Sequence, residues 1–290
     1  MKNLIKQFAF KLLAQGPNGG PVRVLRGPAR GTYLDLDLRS QASYWIGQYD
    51  RWILDRVPLE VLIKPGEVAW DCGAFVAYYT ALFRKLVGES GDVHAFEASP
   101  ANAARILELP NLNGWRNVSV HQFAIGPDHA EITFSAEQGG ASGPVGLVEG
   151  ERSGIEHGLI TVRSAGIDEI VYEDGIAAPN FIKFDLETGE VFALANGHRL
   201  FSEKRPTILL ELHGQRALEA SLEFAATYDY SICDVYHLPA DAGRSARSDF
   251  PGWLTQFSAL AERFVAAPPE EPPHMTLVLP NELLERRGSA

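Results

Sequence analysis

Residues 67–100 read EVAWDCGAFVAYYTALFRKLVGESGDVHAFEASP, and this stretch decides the fold. Val68–Trp70 is a short apolar run that leads into Asp71-Cys72-Gly73-Ala74. Val76–Val87 carries a helical pattern, and Val93–Phe96 is a second apolar run that ends on Glu97. Strand, glycine turn, helix, strand and acid, in that order, are how a nucleotide-type fold holds a ribose. The glycine allows close approach of the backbone, and the carboxylate accepts hydrogen bonds from the two ribose hydroxyls. Glu97 follows Gly73 at close to the roughly 20-residue separation that contact needs. The stretch therefore reads as a site for an adenosine-containing cofactor.

The alternation continues outward. Further strands are expected at Val118–Ile125, Phe181–Leu186, Thr207–His213, Ser231–Val235 and Met275–Leu279. Helical patterns fall at Pro100–Leu109, Glu190–Ser202 and Ala217–Tyr228. Strands that alternate with helices predict an α/β fold, with a mostly parallel seven-stranded sheet covered on both faces. All-apolar runs such as FIKF and TILLEL suit strands buried on both sides. No comparably clear helix pattern precedes the last strand, so that strand is expected to be antiparallel. Gln138–Gly158 is glycine-rich and reads as a long loop between two extra strands, Glu131–Phe134 and Leu159–Val162. Such loops often serve as lids or binding loops.

Residues 1–63 read as an extension on a core domain of residues 64–290. Leu4, Ile5, Phe8 and Leu12 give one apolar stripe at helical spacing. That helix suits packing on the domain or on a second copy of the chain, and its lysines would also suit a membrane surface. Val22–Leu25 and Thr32–Leu38 form an expected hairpin, and Ser43–Ile63 reads helical.

The 290 residues carry a net charge of −11, which argues against nucleic acid as partner because phosphate binding needs clustered Lys and Arg. No run is long and apolar enough for a membrane span. Two cysteines in apolar runs, Cys72 and Cys233, read as buried thiols in a reducing, cytoplasmic setting. No His, Cys or carboxylate group shows metal-ligand spacing along the sequence, so no metal is expected.

A dinucleotide fold wants G-x-G-x-x-G after its first strand. Here Gly73 is followed by Ala74, Phe75, Val76 and Ala77, and the bulk in the turn obstructs a pyrophosphate. S-adenosylmethionine has no phosphate and escapes that demand. DCGAFVAYYT followed by GDVHAFEASP resembles the FkbM-type S-adenosylmethionine-dependent methyltransferases. The resemblance runs on through Asn111–Gly126, FIKFDLETGE and RPTILLELHG, and so from about Val22 to Leu279. It implies a class I methyltransferase fold with S-adenosylmethionine as cofactor. It also implies that Asp71, Gly73 and Ala74 border the methionine end, that Glu97 binds the ribose, and that His121–Ala124, with Ala124 at its end, lies near the adenine. Asp185 would face the sulfonium and the acceptor. The sequence departs from the family pattern at Phe75, Ala77, Ala98 and Thr188, where the family keeps asparagine, glycine, proline and glycine.

Period-two geometry puts Asp185 and Glu187 on one side of an extended strand, and Glu211 and His213 on one side of the next. An alcohol acceptor must lose a proton, so a general base is expected. His213 is preferred because an ordinary histidine titrates near neutrality, with Asp185 second. The expected activity is O-methylation of a small molecule, glycan or lipid-linked sugar. The competing expectation is a non-catalytic binding or scaffold protein with an altered cofactor loop.

Overall fold

The computed structural model describes residues 19–135 and 159–285. The expected N-terminal helix and the Gln138–Gly158 loop lie outside the described residues. The chain order begins with a hairpin of β1 (Gly20–Arg23) and β2 (Tyr33–Leu36), paired antiparallel as the sequence suggests. Three short helices follow, Ala42–Trp45, Arg51–Arg56 and Leu59–Leu62, where one helical stretch was expected. Gly47, at φ +67°, and Asp50, at φ +47°, part the first from the second, and Pro58 separates the last.

The main sheet contains β3 (Val68–Cys72), β4 (Asp92–Phe96), β5 (Val118–His121), β9 (Phe181–Phe184), β10 (Thr207–Glu211), β11 (Tyr230–Asp234) and β12 (Met275–Pro280). Its order is β11-β12-β10-β9-β3-β4-β5. All neighbours are parallel except β12, which runs antiparallel to both β10 and β11, as expected of the last strand. The order reverses beside β3: β4 and β5 extend one way, and β9 and β10 the other. A crevice opens at the carboxyl ends of the strands at such a switch point.

A second sheet orders β6 (Ala124–Ile125), β8 (Leu159–Ala165) and β7 (Ala130–Ser135). The single strand expected over Val118–Ile125 is thus two, because the chain leaves the main sheet after His121 and joins the small one at Ala124. The helix expected over Glu190–Ser202 is also two, Glu190–Ala195 and His198–Glu203. Gly197 between them packs so closely on the Phe201 ring that a Cβ would sit 2.4 Å from it. The Phe250–Ala266 helix has no counterpart among the expected elements. Pro251 and Gly252 lie in its first turn, and Asp249 Oδ1 accepts the Gly252 N–H at 2.8 Å.

The core lies on both faces of the sheet. Ala69 of β3 joins one cluster, while Trp70 and Cys72 join the other. The first cluster also takes in Leu34, Ile53 and Leu59 of the N-terminal extension. Strands buried on both sides cannot alternate polar and apolar residues, which is why FIKF reads as a continuous run. The exception inside that run, Lys183, is only 2% exposed, and it points to the site.

Candidate active site

A cavity of about 220 Å³ opens over the carboxyl ends of β3, β4, β9 and β10. Asp71, Gly73, Ala74, Glu97, Ala124 and Asp185 all line it, as do Phe75, Phe123, Lys183, Glu187 and Glu211. Sequence-expected positions from four separate segments therefore meet in one space.

At the β3–β4 end the backbone governs. Gly73 has φ +85°, and a Cβ there would lie 1.8 Å from the Asp185 carbonyl oxygen. Glycine is thus required by the close approach of the loop after β9. Phe75 and Ala77 also adopt left-handed conformations, at φ +50° and +60°. These are the two places where the family keeps asparagine and glycine, residues that take this conformation at lower cost. Glu97 is buried, and its two oxygens accept the Phe75 and Ser99 N–H groups at 2.8 Å each. Burial raises its carboxyl pKa, opposed by those amides and by Asn102. The carboxylate keeps acceptor capacity for a further donor.

The wall beyond Glu97 is apolar: Ala98, Phe123, Ala124 and Ile132. Of the stretch His121–Ala124, only Phe123 and Ala124 reach the cavity. His121 instead stacks on Phe96, with ring centroids 4.8 Å apart, and its Nε2 lies 3.0 Å from His94 Nδ1. Burial and His94 push the His121 pKa down to about 4.

At the β9–β10 end, side chains govern. Asp71 pairs in register with Lys183, and Asp185 stands two residues further on, just past the end of β9. Lys183 Nζ donates to Asp185 Oδ2 at 2.9 Å and lies 4.9 Å from the Tyr79 ring centre. Burial would lower the lysine pKa, but Asp185, Asp71 and Glu211 outweigh it and hold the lysine charged. Asp185 is held below the usual carboxylate range: burial works against this, and Lys183 overcomes it. Asp71, fully buried and bonded to Thr80 Oγ1 at 2.6 Å, is raised by burial despite Lys183 and Thr80.

His213 departs from expectation. Its Nδ1 lies 2.9 Å from Glu190 Oε1, and its Nε2 faces Glu211 Oε1 at 3.5 Å, Glu187 Oε2 at 3.9 Å and Asp185 Oδ1 at 4.0 Å. Burial lowers its pKa, but the bonds to Glu190 and Glu211 and the charges of Glu190 and Glu187 raise it to about 11. A ring that already holds its proton at neutral pH is not the free base its ordinary pKa suggests. Nor does the extended geometry persist to Glu187: β9 ends at Phe184, and Glu187 and Thr188 have φ +49° and +85°. Spacing along the chain shows no metal-ligand grouping, but in space β9–β10 pairing brings ligand atoms of Asp185, Glu211 and His213 within 4.8 Å of one another.

Lys183 and Glu190 are site residues the sequence reading did not single out. A lysine inside FIKF carried a usable signal, since a buried lysine must have acidic partners. Tyr44 and Tyr49 of the extension also line the cavity, stacked with centroids 4.0 Å apart. Nothing in the sequence tied them to the sheet.

The residues fit S-adenosylmethionine. A buried acid ends β4 where ribose hydroxyls would donate, an apolar slot lies beyond it, and Phe75 and Val76 fill the turn a pyrophosphate would need. The strand order and the site together define a Rossmann-like methyltransferase. Residues 71–248, over half the chain, match the methyltransferase FkbM domain model, and the chain belongs to that family, with S-adenosylmethionine as its cofactor. No curated protein matches the chain. Among solved structures, it is similar to an FkbM methyltransferase from Methylobacillus flagellatus KT, at 20% identity and a TM-score of 0.41, over 58% of this chain and 39% of that one. It is also similar to Aeropyrum pernix fibrillarin with bound S-adenosyl-L-methionine, at 11% identity and a TM-score of 0.42, over 79% of this chain and 76% of that one. No helix among the described residues is long and apolar enough to cross a membrane.

Proposed function

We propose that the chain methylates a hydroxyl of a small molecule, glycan or lipid-linked sugar. The observation that carries this reading is the pair of carboxylates, Asp185 and Glu211, lining the cavity at the ends of β9 and β10. Carboxylates at that place can accept hydrogen bonds from an alcohol and orient its oxygen. The stacked Tyr44 and Tyr49 rings add flat faces on which a sugar or aromatic acceptor can lie.

In this reading Asp71, Gly73 and Ala74 border the methionine end of the cofactor, Glu97 takes the ribose hydroxyls, and Ala124 with Phe123 covers the adenine. When bound, S-adenosylmethionine supplies a methyl group on a positively charged sulfur leaving group. The chain itself aligns the acceptor oxygen with that methyl, and such alignment can lower a barrier by roughly 7–11 kcal/mol. Asp185 stands ionised beside the acceptor and takes its proton. His213 holds its own proton and positions the carboxylates around it.

Incubation with labelled cofactor and a panel of sugars, lipid-linked sugars and hydroxylated small molecules tests the reading. Formation of a methyl ether supports it, and methylation of nitrogen or carbon acceptors alone overturns it. A non-catalytic binding role is the second reading. It is favoured by the left-handed non-glycine residues Phe75, Ala77, Glu187 and Thr188. Tight cofactor binding with no release of S-adenosylhomocysteine across the panel would favour it.

A further inference from the structure

We infer that Asp185, Glu211 and His213 form a divalent-cation site at the carboxyl ends of β9 and β10. Three arguments of geometry carry this. The ligand atoms of these residues all lie within 4.8 Å of one another. At metal–ligand bonds of about 2.1 Å, two ligand atoms on one cation sit between roughly 3.0 and 4.2 Å apart. His213 Nε2 stands 3.5 Å from Glu211 Oε1 and 4.0 Å from Asp185 Oδ1, inside that range. Glu187 Oε2, at 3.9 Å, is within reach as a further oxygen.

The second argument is the orientation of the ring. Glu190 Oε1 faces Nδ1 at 2.9 Å and also accepts the Leu186 N–H at 2.7 Å. A carboxylate behind Nδ1 presents the other nitrogen to a metal, as in metal-bound histidines, and a cation there would displace the proton that Nε2 otherwise holds. The third argument is unmet charge and polarity. Glu190 is fully buried, yet its Oε2 has no hydrogen-bond partner among the described residues. Lys183 engages Asp185 through Oδ2 and so leaves Oδ1 turned to the histidine.

Two carboxylates with one imidazole form an oxygen-rich set, which suits Mn²⁺ or Mg²⁺ better than metals that seek thiolates. A cation here would sit at the edge of the cavity that Asp185, Glu187 and Glu211 line. It could then take the acceptor oxygen as a further ligand and ease loss of its proton. That last role rests on the hydroxyl-methylation reading, whereas the site itself does not.

The test is titration of the chelator-stripped full chain with Mn²⁺ alone, following the electron-paramagnetic signal of the free ion. No acceptor or turnover enters the measurement, so a failed acceptor panel and a failed titration are distinguishable. One Mn²⁺ per chain is expected. Glu211→Gln and His213→Gln should each weaken binding at least about tenfold, and Glu190→Gln, behind the ring, by about tenfold. Glu262→Gln, on the Phe250–Ala266 helix and outside the cavity lining, should match the wild type. If Glu211→Gln does not fold, His213→Gln decides. Absence of one-to-one binding by folded wild-type protein overturns the site, as does unchanged affinity in His213→Gln.

Discussion

At the β3–β4 end of the cavity the decisive groups belong to the backbone: left-handed residues at Gly73, Phe75 and Ala77, and two amides that fix Glu97. At the β9–β10 end they are side chains: Lys183, Asp185, Glu211 and His213, gathered from two paired strands. The first end is built for shape and tolerates little change of backbone. The second is built from charge and depends on each ion keeping its partner. One cavity thus joins a pocket shaped by backbone to a cluster of charged side chains.

The largest effect is expected at the charged end. Lys183→Met leaves Asp71, Asp185 and Glu211 without their buried cation, and should lower unfolding free energy by roughly 3–5 kcal/mol in denaturant titration. A loss below 1 kcal/mol would show that the acids are compensated otherwise. At the backbone end, Gly73→Ala combines a left-handed penalty with a collision against the Asp185 carbonyl. It should lower stability by roughly 3 kcal/mol, and a neutral result would break the claim that this glycine serves loop contact.

A pH effect marks the rim of the cofactor end. His121 titrates at about 4 in the folded chain against 6.5 for an ordinary histidine, so it is the unfolded chain that gains the proton first on acidification. Its contribution is therefore complete above pH 6.5 and is lost as pH falls toward 4. Discounted for partial exposure, the loss is roughly 1–2 kcal/mol. Denaturation at pH 7 and pH 5 should show a smaller drop in His121→Gln than in the wild type, and equal drops would contradict the assignment. The smallest effect is a gain. Ala77→Gly relieves a left-handed alanine at φ +60° and should stabilise the chain by about 1 kcal/mol in the same assay. Destabilisation would show that the alanine methyl, which is buried, matters more for packing.

The two ends also differ in how far the sequence revealed them. Gly73 and Glu97 sit within one strand–helix–strand unit, so their meeting follows from local order, and both line the cavity. The sheet was legible for the same reason: alternating strands and helices leave few topologies open. The charged cluster was legible only in part: its acids and His213 fall at the ends of two successive strands, but their meeting depends on β9–β10 pairing, and Lys183 and Glu190 were not singled out. The setting of His213 was not legible, because its ordinary pKa says nothing of the four carboxylates around it. The Phe250–Ala266 helix has no counterpart among the expected elements, although Pro251 and Gly252 fall in its first turn, where proline is tolerated.

The central claim is that Glu97, fixed by two backbone amides, binds the ribose of S-adenosylmethionine at the carboxyl end of β4. Isothermal titration of wild-type and Glu97→Ala protein with that cofactor tests it most directly. Binding by the wild type is expected, weakened by roughly 1–3 kcal/mol in the variant through loss of charged hydrogen bonds. No binding by folded wild-type protein, or equal affinity in the two proteins, would contradict it.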